Sequence, residues 1–575
     1  MQSGPAPARL PRPNAWREWA ASVADDPAQT VVALIVLTAC AALIGLPIAM
    51  LVGHSLVDGS GHFGLGAFAQ VLTDKSIAAA AVNSLLFVVY VTAGCLAAGV
   101  PLAWLVARTD VPAKLLIRGA IAVAFIIPSF INVIAWIFLA APNSGTLNKL
   151  LVSWLGLPAP PFNIFSFGGL VFIETAHLFP IVFFAVAAAL ANIDASHEQA
   201  ARMLGASRWR TTRTITLPLV APAIISSATL CMLDALSSFG APAAIGTMAN
   251  FSVLSTAIFG LLTYPPRLEM AAAVSLPIAL FTLICLWAQQ RYLKRNNFVT
   301  VTGKANAPQL IGLGAWRWPA MALALTLVAG ASVLPFLALL VLSLLKAFGT
   351  ELTLANFGLQ HYRAVFDDSF TVLPAVKNSL ILALSGAALC VLLGIMTAWL
   401  VERTRMAGRG ILSAVVMVAY GFPSIILGVA VMLGYINVLY GTLTIILIAY
   451  VARHLPIGFV FVRALMKQVS PELEEAARIL GAGRLRALYD ITYPVLRPAA
   501  FIAWLLIFSL CLREQPMSAI LTQSGTEVMS TTVLQFIEDG SIEVAAAISV
   551  LIVVVSMVSI GIARIFAPRE LLAMR

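Results

Sequence analysis

Long uninterrupted apolar runs constrain this chain more than any other feature. Stretches such as 30–51, 84–107 and 120–140 approach or exceed the roughly 20 residues that a helix needs to cross the hydrocarbon of a bilayer. Lipid offers the backbone no hydrogen-bond partners, so such runs must be helical. Only 10% of the 575 residues are charged, against about 25% in soluble domains. The sequence therefore predicts an all-α integral membrane protein.

The apolar pattern predicts twelve membrane-spanning segments in two sets of six. The first set is 31–53, 83–107, 115–140, 167–191, 217–240 and 271–290; the second is 319–346, 378–401, 410–435, 441–466, 495–513 and 544–567. The termini and the even-numbered connections hold most of the Lys and Arg, so the positive-inside rule predicts that both termini are cytoplasmic. The first span is too long for a cleavable signal peptide. We expect a multi-pass protein of the bacterial cytoplasmic (inner) membrane.

An internal repeat relates the two sets. Asn83-Ser84-Leu85 recurs 295 positions later as Asn378-Ser379-Leu380, and these asparagines are expected to cap the second helix of each half. Farther on the offset falls to 276 and then to 274, which pairs Pro242 with Pro516. The first change of 19 residues indicates an insertion in the first half, expected near 141–162. The repeat predicts two homologous six-helix bundles related by a pseudo-two-fold axis along the membrane normal, with a central pathway between them.

The repeat also sets the expected domain limits. They are 1–30 for a cytoplasmic tail, 31–290 for the first six-helix domain, 291–318 for a cytoplasmic linker, 319–568 for the second domain and 569–575 for the C-terminal tail.

A short polar motif precedes the fifth span of each half. It reads Glu198-Gln199-Ala200-Ala201 and then Gly205 in the first half, and Glu474-Glu475-Ala476-Ala477 and then Gly481 in the second. We expect Ser196 or Ser470 to cap a short helix, and the glycine to end it through backbone angles that other residues avoid. The motif predicts a small rigid helix–turn–helix on the cytoplasmic face of each half.

A different interpretation is an amphipathic loop that lies on lipid headgroups. Its contacts would come from basic side chains of the first loop, namely Arg202, Arg208, Arg210 and Arg213. Two copies with identical spacing favour the rigid unit.

These loops resemble the "EAA" motif of the permeases of binding-protein-dependent ATP-binding-cassette importers. The fused two-copy form is most similar to the ferric-iron-type permeases and their relatives for phosphonates and thiamine. The resemblance implies that each loop is a coupling helix that inserts into a cleft of a separate ATPase subunit. It also implies two such subunits and a periplasmic or lipid-anchored substrate-binding protein. Gln199 stands where the second half has Glu475, so the two docking sites are not expected to be identical.

The cargo implied by the resemblance is ferric iron, with 2-aminoethylphosphonate, another small anion or thiamine as alternatives. A Gly-x-x-x-x-Gly-Lys-Ser/Thr loop is absent, because Gly303-Lys304 is followed by Ala305. We therefore expect no enzyme activity and no cofactor in this chain, with ATP and Mg bound by the partner ATPases. No basic stripe indicates nucleic acid, and the six Cys have neither disulfide nor metal spacing. A secondary transporter, which also has twelve spans, is the alternative class.

Ionisable residues in the predicted spans are costly to bury in lipid and mark a pathway or an interhelical contact. Asp234 and Glu514 are the strongest pathway candidates, because the fifth helix faces the other half in the resembled fold. Interhelical pairing remains the alternative for each of them. The full candidate set is Glu174, His177, Asp234, Ser237, Ser238, Arg453, Arg513 and Glu514, and it shows no metal-ligand pattern.

Overall fold

The computed structural model describes residues 27–57, 61–246, 248–295, 310–367, 372–404, 406 and 408–566. This part of the chain is folded into helices joined by short loops. In chain order the main helices are α1 (Gln29–Ser55), α2 (Gly66–Thr73), α3 (Lys75–Arg108), α4 (Lys114–Ile126), α5 (Ser129–Ala140), α6 (Thr146–Leu155), α7 (Phe167–Ala191), α8 (Ala195–Met203), α9 (Trp209–Ser237), α10 (Gly240–Ile245), α11 (Leu254–Leu262), α12 (Leu268–Arg295), α13 (Gly314–Leu344), α14 (Gln360–Val365), α15 (Val372–Arg403), α16 (Arg409–Gly421), α17 (Ser424–Tyr435), α18 (Leu443–Met466), α19 (Pro471–Ile479), α20 (Leu488–Leu512), α21 (Pro516–Leu521), α22 (Met529–Glu538) and α23 (Ile542–Phe566).

Ten of these helices are long and apolar enough to cross a membrane as single elements, within the part of the chain described. The third and ninth predicted spans are different, and the expectation of continuous helices there is wrong. The helix pair α4–α5 is bent by 103° and the pair α16–α17 by 111°. Pro128 and Pro423 explain both breaks, because proline has no N–H to donate and forces the preceding residue out of the helical region. Ile127 and Phe422 are accordingly extended.

The two halves have the same order of elements, as the repeat predicts. The helix α6 is the exception, since it lies within the insertion expected near 141–162 and the second half has no equivalent between α17 and α18. Asn148 holds this insertion closed: its amide donates to the carbonyls of Ala141 and Phe162 at 3.0 and 2.9 Å.

The first helix of each half packs against the other half. The helix α1 lies on α17, where the Tyr435 hydroxyl donates to the carbonyl of Ala42 at 2.8 Å. The helix α13 packs correspondingly on α4 and α5. This exchange joins the two bundles on both sides of their shared interface.

The repeated asparagines do not cap the second helix of their half, so that prediction is wrong. Asn83 lies inside α3, and its amide donates to the carbonyl of Ser252, 2.9 Å away, in the loop before α11. In the second half the amide of Asn378 likewise donates to the backbone carbonyl of Glu527, 2.9 Å away. The neighbouring Ser84 hydroxyl accepts from the backbone of Leu254 at 2.7 Å. The repeated residues therefore hold the loop between the fifth and sixth spans against the second.

Small residues set the closest helix crossing in each half. A Cβ added to Gly394 on α15 would lie 2.8 Å from the backbone carbon of Gly458 on α18. In the first half a Cβ on Gly99 would lie 2.7 Å from the side chain of Val182. The second half thus brings two glycine backbones together, whereas the first packs Gly99 against both Val182 and the backbone carbonyl of Phe179.

Candidate functional site

The helix–turn–helix predicted before the fifth span forms in both halves. The helix α8 is capped by Asp194, whose carboxylate accepts from the backbone N–H of Ser196 at 2.9 Å. The expectation that Ser196 is the cap is therefore wrong, because α8 begins at Ala195 and Ser196 already lies inside its first turn. In the second half Ser470 does have the expected role: its hydroxyl accepts from the N–H of Glu472 at 3.3 Å, at the start of α19.

Glycine ends both loop helices in the left-handed conformation. The φ angle is +83° at Gly205 and +91° at Gly481. The N–H of Ala206 donates to the carbonyl of Ala201 at 3.0 Å, and Ala482 donates to Ala477 at the same distance. A hydrogen bond between residues five positions apart at a helix end is typical of the Schellman motif. Glycine adopts the left-handed conformation of this motif without strain.

The first glutamate of each motif points into the protein and anchors the loop. Glu198 pairs with Arg108 at the end of α3, with Oε1 and Nη2 3.0 Å apart, and accepts from Thr216 on α9 at 2.7 Å. In the second half Glu474 pairs with Arg403, with Oε1 and Nε 3.2 Å apart, and accepts from the Thr492 hydroxyl. Each loop is thereby tied to both the second and the fifth span of its own half.

The opposite side of each loop is exposed and apolar at its tip. We call the pairs Met203-Leu204 and Ile479-Leu480 the loop tips; Leu204 is 89% exposed and Leu480 is 88% exposed. Beside these tips the remaining motif residues are exposed or half-buried: Gln199, Ala200, Ala201, Glu475, Ala476 and Ala477. Each motif thus has an anchoring glutamate, Glu198 or Glu474, and an outward face formed by its other residues. The sequence alone did not distinguish these two parts.

The polypeptide that enters the second half runs beside the first loop. The N–H of Ile311 donates to the carbonyl of Arg108 at 2.8 Å, and the N–H of Leu313 donates to the Asp110 carboxylate at 2.8 Å. Together with Glu198, Gln199 and other loop residues, Leu310 and Ile311 line a small cleft. The end of the linker therefore covers one side of the first loop.

A cavity of about 430 Å³ lies between the two halves where the broken spans meet. All eight residues predicted as pathway candidates line it, three of them carboxylates and two arginines: Glu174, His177, Asp234, Ser237, Ser238, Arg453, Arg513 and Glu514. The structure therefore brings together residues that lie up to 340 positions apart in sequence (Glu174 and Glu514). Their role in transport stays a prediction.

Two arginines of the second half stabilise the two broken spans. Arg513 reaches across to the first half and donates from Nη1 to the carbonyls of Phe125 and Ile126, at 2.8 and 3.1 Å. Arg453 donates from Nη1 to the carbonyls of Tyr420 and Phe422, at 3.1 and 2.9 Å. Each guanidinium also lies over the aromatic ring that precedes the break, Phe125 or Tyr420. The carbonyls left free by the helix ends thus receive charged donors.

The centre of the cavity is not symmetric. The helices α10 and α21 begin at Gly240 and Pro516, so the backbone equates these two and corrects the pairing of Pro242 with Pro516. By this register Arg513, Glu514 and Gln515 occupy the places of Ser237, Ser238 and Phe239. The two halves touch here, since a Cβ on Gly240 would lie 1.8 Å from the amide oxygen of Gln515.

The three carboxylates have different surroundings. Glu174 is buried and accepts from the Ser238 hydroxyl at 2.9 Å. Glu514 is buried with its Oε2 3.9 Å from Nε2 of His454, and its Oε1 accepts from the N–H of Met517. Asp234 has no ion pair within 4.0 Å and no hydrogen bond among the described residues. Within those residues no group of three His, Cys, Asp or Glu side chains is arranged to hold a metal ion.

A second cavity, of about 540 Å³, adjoins the first on the side of α11 and α22. Phe239 lines both cavities and is itself buried, with its ring packed against Phe259 at 5.1 Å between centroids. Glu538 lines the second cavity, and burial raises the pKa of its carboxyl group. The aromatic ring of Phe239 therefore separates the two spaces.

Sequence reasoning missed several residues of the central cavity. Tyr420, His454 and Gln515 line it, and the signals for them were available. His454 adjoins Arg453, Gln515 follows Glu514, and Tyr420 occupies the repeat position of Phe125. The bent spans that place Tyr420 and Phe125 at the centre were not anticipated.

The chain matches a known family model twice. Residues 99–298 and 390–571 both match the family described as "Binding-protein-dependent transport system inner membrane component". The chain belongs to this family. It is accordingly a multi-pass membrane protein of the inner-membrane type and a component of a binding-protein-dependent transport system, with the domain present in two copies.

Individual relatives in this family are distant. The ferric transport system permease protein FbpB of Actinobacillus pleuropneumoniae is 26% identical, over 72% of this chain and 60% of the relative. The Fe(3+)-transport system permease protein FbpB 2 of Haemophilus influenzae is 23% identical over 92% of this chain and 98% of the relative. A putative 2-aminoethylphosphonate transport system permease protein PhnU of Salmonella typhi is 31% identical over 37% of this chain and 74% of the relative. The first match thus spans less than two thirds of that relative.

A solved bacterial ABC transporter that imports the acidic polysaccharide alginate is also similar. It is 20% identical with a TM-score of 0.40, and the match covers 49% of this chain and 99% of that one.

Proposed function

We propose that this chain is a translocation subunit of an ATP-binding-cassette importer and that separate ATPase subunits drive it through the helices α8 and α19. The observation that carries the proposal is the construction of the two loops. Each presents an exposed apolar tip to a partner, and each is anchored on its inner side by a Glu–Arg–Thr contact to two membrane spans. A monomeric transporter has no use for two such exposed tips.

The anchoring contacts explain how force reaches the pathway. Displacement of α8 must move the end of α3 and the start of α9, because Glu198 binds both. The helix α9 ends at the central cavity with Asp234 and Ser237. The second half repeats this connection from Glu474 through α20 to Arg513. Paired movement of the loops therefore opens or closes the cavity from both halves.

The remaining parts of the proposal concern partners and orientation. Two ATPase subunits hold ATP and Mg, and a periplasmic or lipid-anchored binding protein delivers the substrate. Both termini and both loops lie in the cytoplasm, which the concentration of Lys and Arg at the ends of α12, α15 and α23 supports.

The proposed cargo is ferric iron, supported by the names of the FbpB relatives. The relative named for 2-aminoethylphosphonate supports the second candidate. Thiamine stays an expectation from the sequence resemblance alone.

The test is reconstitution in proteoliposomes with the cognate ATPase and binding protein. We expect uptake of labelled ferric ion that requires ATP on the side of the membrane where the ATPase is bound. The Leu204→Asp and Leu480→Asp proteins should lose this uptake. Leu354→Asp is the matched control, because Leu354 is equally exposed (94%) but lies in the loop between α13 and α14. Uptake driven by an ion gradient without the ATPase would contradict the proposal and indicate a secondary transporter. Uptake of 2-aminoethylphosphonate in place of ferric ion would change the cargo only.

A further inference from the structure

The two arginines of the central cavity carry charges that the protein does not pair. Each uses only Nη1, and its partners are neutral backbone carbonyls. Neither Arg453 nor Arg513 has a carboxylate within 4.0 Å among the described residues. A carbonyl can orient a guanidinium but cannot neutralise it, so both cations face the cavity without a carboxylate in direct contact.

Histidines on the same cavity add unused polar groups. His454 is only 5% exposed, and neither ring nitrogen has a hydrogen-bond partner in the described part of the chain. Nδ1 of His177 is buried and unpartnered as well. Buried polar groups are normally hydrogen-bonded, so these nitrogens leave two polar side chains unsatisfied in the wall of the cavity.

The cavity also holds an unengaged negative charge. Asp234 lines it, and the charges that attract its carboxylate are those of Arg453 and Arg513. The separation nevertheless exceeds that of an ion pair, so space remains between opposite charges. Glu174 and Glu514 are less available, because Ser238 and the N–H of Met517 already bind them.

From this arrangement we propose that the central cavity is a binding site for a small molecule that combines an oxyanion with a cationic centre. The oxyanion lies against the guanidinium groups of Arg453 and Arg513, and the cationic centre lies against Asp234. Planar guanidinium groups bind phosphonate, phosphate and carboxylate oxygens through paired hydrogen bonds. A volume of about 430 Å³ lies within the range of small-molecule sites.

Two sources of this chemistry fit the proposed function, on which the inference rests. One is a zwitterion such as 2-aminoethylphosphonate, and the other is a ferric ion that travels with a bound oxyanion. A bare ferric ion fits poorly, because no group of three His, Cys, Asp or Glu side chains in the described residues is arranged to hold it.

Calorimetric titration of the full chain in lipid nanodiscs tests the inference without ATPase or transport. The probes are 2-aminoethylphosphonate, ethylphosphonate, ethanolamine and ferric citrate. We expect Arg513→Gln and Arg453→Gln each to weaken binding of the bound probe about 10- to 100-fold, the effect of removing a charged hydrogen bond. Asp234→Asn should weaken the binding of 2-aminoethylphosphonate several-fold. The affinity for ethylphosphonate, which has no amine, should stay within twofold.

Controls separate a lost site from a lost fold. Arg463→Gln removes an arginine of the same half that pairs with Glu402, 2.5 Å away, outside this cavity, and should leave binding unchanged. Arg513→Lys and Arg453→Lys keep the charge and should retain part of the affinity if a Gln variant unfolds.

The probes distinguish the source of the oxyanion. Binding of 2-aminoethylphosphonate alone identifies the zwitterion, and binding of ferric citrate alone identifies the ferric complex. The inference is overturned if no probe binds at millimolar concentration, or if both Gln variants bind within twofold of the unmodified chain. Neither result affects the role of the loop tips, which transport measurements with Leu204→Asp and Leu480→Asp test separately.

Discussion

The two halves of this molecule agree at the loops and differ at the centre. At the loops the same three residue types, Glu, Arg and Thr, make the same contacts, and both turns end in glycine with positive φ. At the cavity the second half places Arg513, Glu514 and Gln515 where the first has Ser237, Ser238 and Phe239. Two identical partner proteins would bind equivalent sites on the two halves. A single small cargo bound between the halves contacts each half differently. Under the proposed function the shared anchoring contacts suit two copies of one ATPase, while Gln199 and the linker beside the first loop distinguish the outward faces; the cavity suits one ligand.

The largest effect is expected from charging a loop tip. Leu204→Asp and Leu480→Asp place a carboxylate on an apolar contact, and we expect each to lower ATP-driven uptake at least about tenfold, as for a residue central to an interface. If the halves are equivalent here, the two losses agree within about twofold. Uptake by proteoliposomes measures this. A loss confined to one variant would show that the halves use their loops differently.

Removing the anchoring arginines should reveal a difference between the halves. Arg403→Ala is expected to cost about 3 kcal/mol of unfolding free energy and Arg108→Ala about 2 kcal/mol, because each leaves a partly buried glutamate unpaired. The Arg403→Ala variant should lose more unfolding free energy, because Arg403 also donates to the carbonyls of Met466 and Val469, at 2.8 and 2.6 Å. Denaturant titration in detergent measures both, with the exposed Arg497→Ala as control. Equal costs would argue against the contribution of the two extra hydrogen bonds.

The close helix crossings offer a sharper comparison. Gly394→Ala meets the backbone of Gly458, which cannot move aside, and should cost about 2–3 kcal/mol. Gly99→Ala meets the Cβ of Val182, which the backbone fixes, and the carbonyl oxygen of Phe179, so it should also cost about 2–3 kcal/mol. Gly119→Ala has nothing within 4 Å and serves as the control in the same titration. A cost near that of the control at either position would mean that the two helices can separate freely there.

The smallest effects are expected at the turn glycines. Alanine at Gly205 or Gly481 meets nothing within 4 Å, so only the positive φ opposes it, at about 1 kcal/mol each. We expect bulkier valine at either position to reduce uptake several-fold while ATP hydrolysis by the assembled complex continues. Gly483→Val is the neighbouring control without positive φ. Full substrate-stimulated uptake in both valine variants would contradict a rigid turn.

The sequence predicted the architecture well because its signals are strong and repeated. Apolar length fixed the spans, and the paired Asn83 and Asn378, like Gly205 and Gly481, revealed the duplication before any coordinates. The bent spans were missed because Pro128 and Pro423 lie inside continuous apolar runs, and hydropathy alone does not detect a break. The sequence did not show that Glu198 points into the protein, because Glu198 and the exposed Gln199 are neighbours in the motif and both are polar. Eight residues of the cavity were predicted, but Tyr420, His454 and Gln515 were not, and the asymmetry of the cavity depends on the register at Gly240 and Pro516.

The most direct test of the central claim is the number of ATPase subunits that one chain binds. Native mass spectrometry of the purified complex should show two ATPase subunits on the unmodified chain. One should remain on Leu204→Asp, one on Leu480→Asp, and none on the double variant. A single ATPase subunit on the unmodified chain, or two retained on the double variant, would contradict the account of two equivalent loops driving one asymmetric cavity.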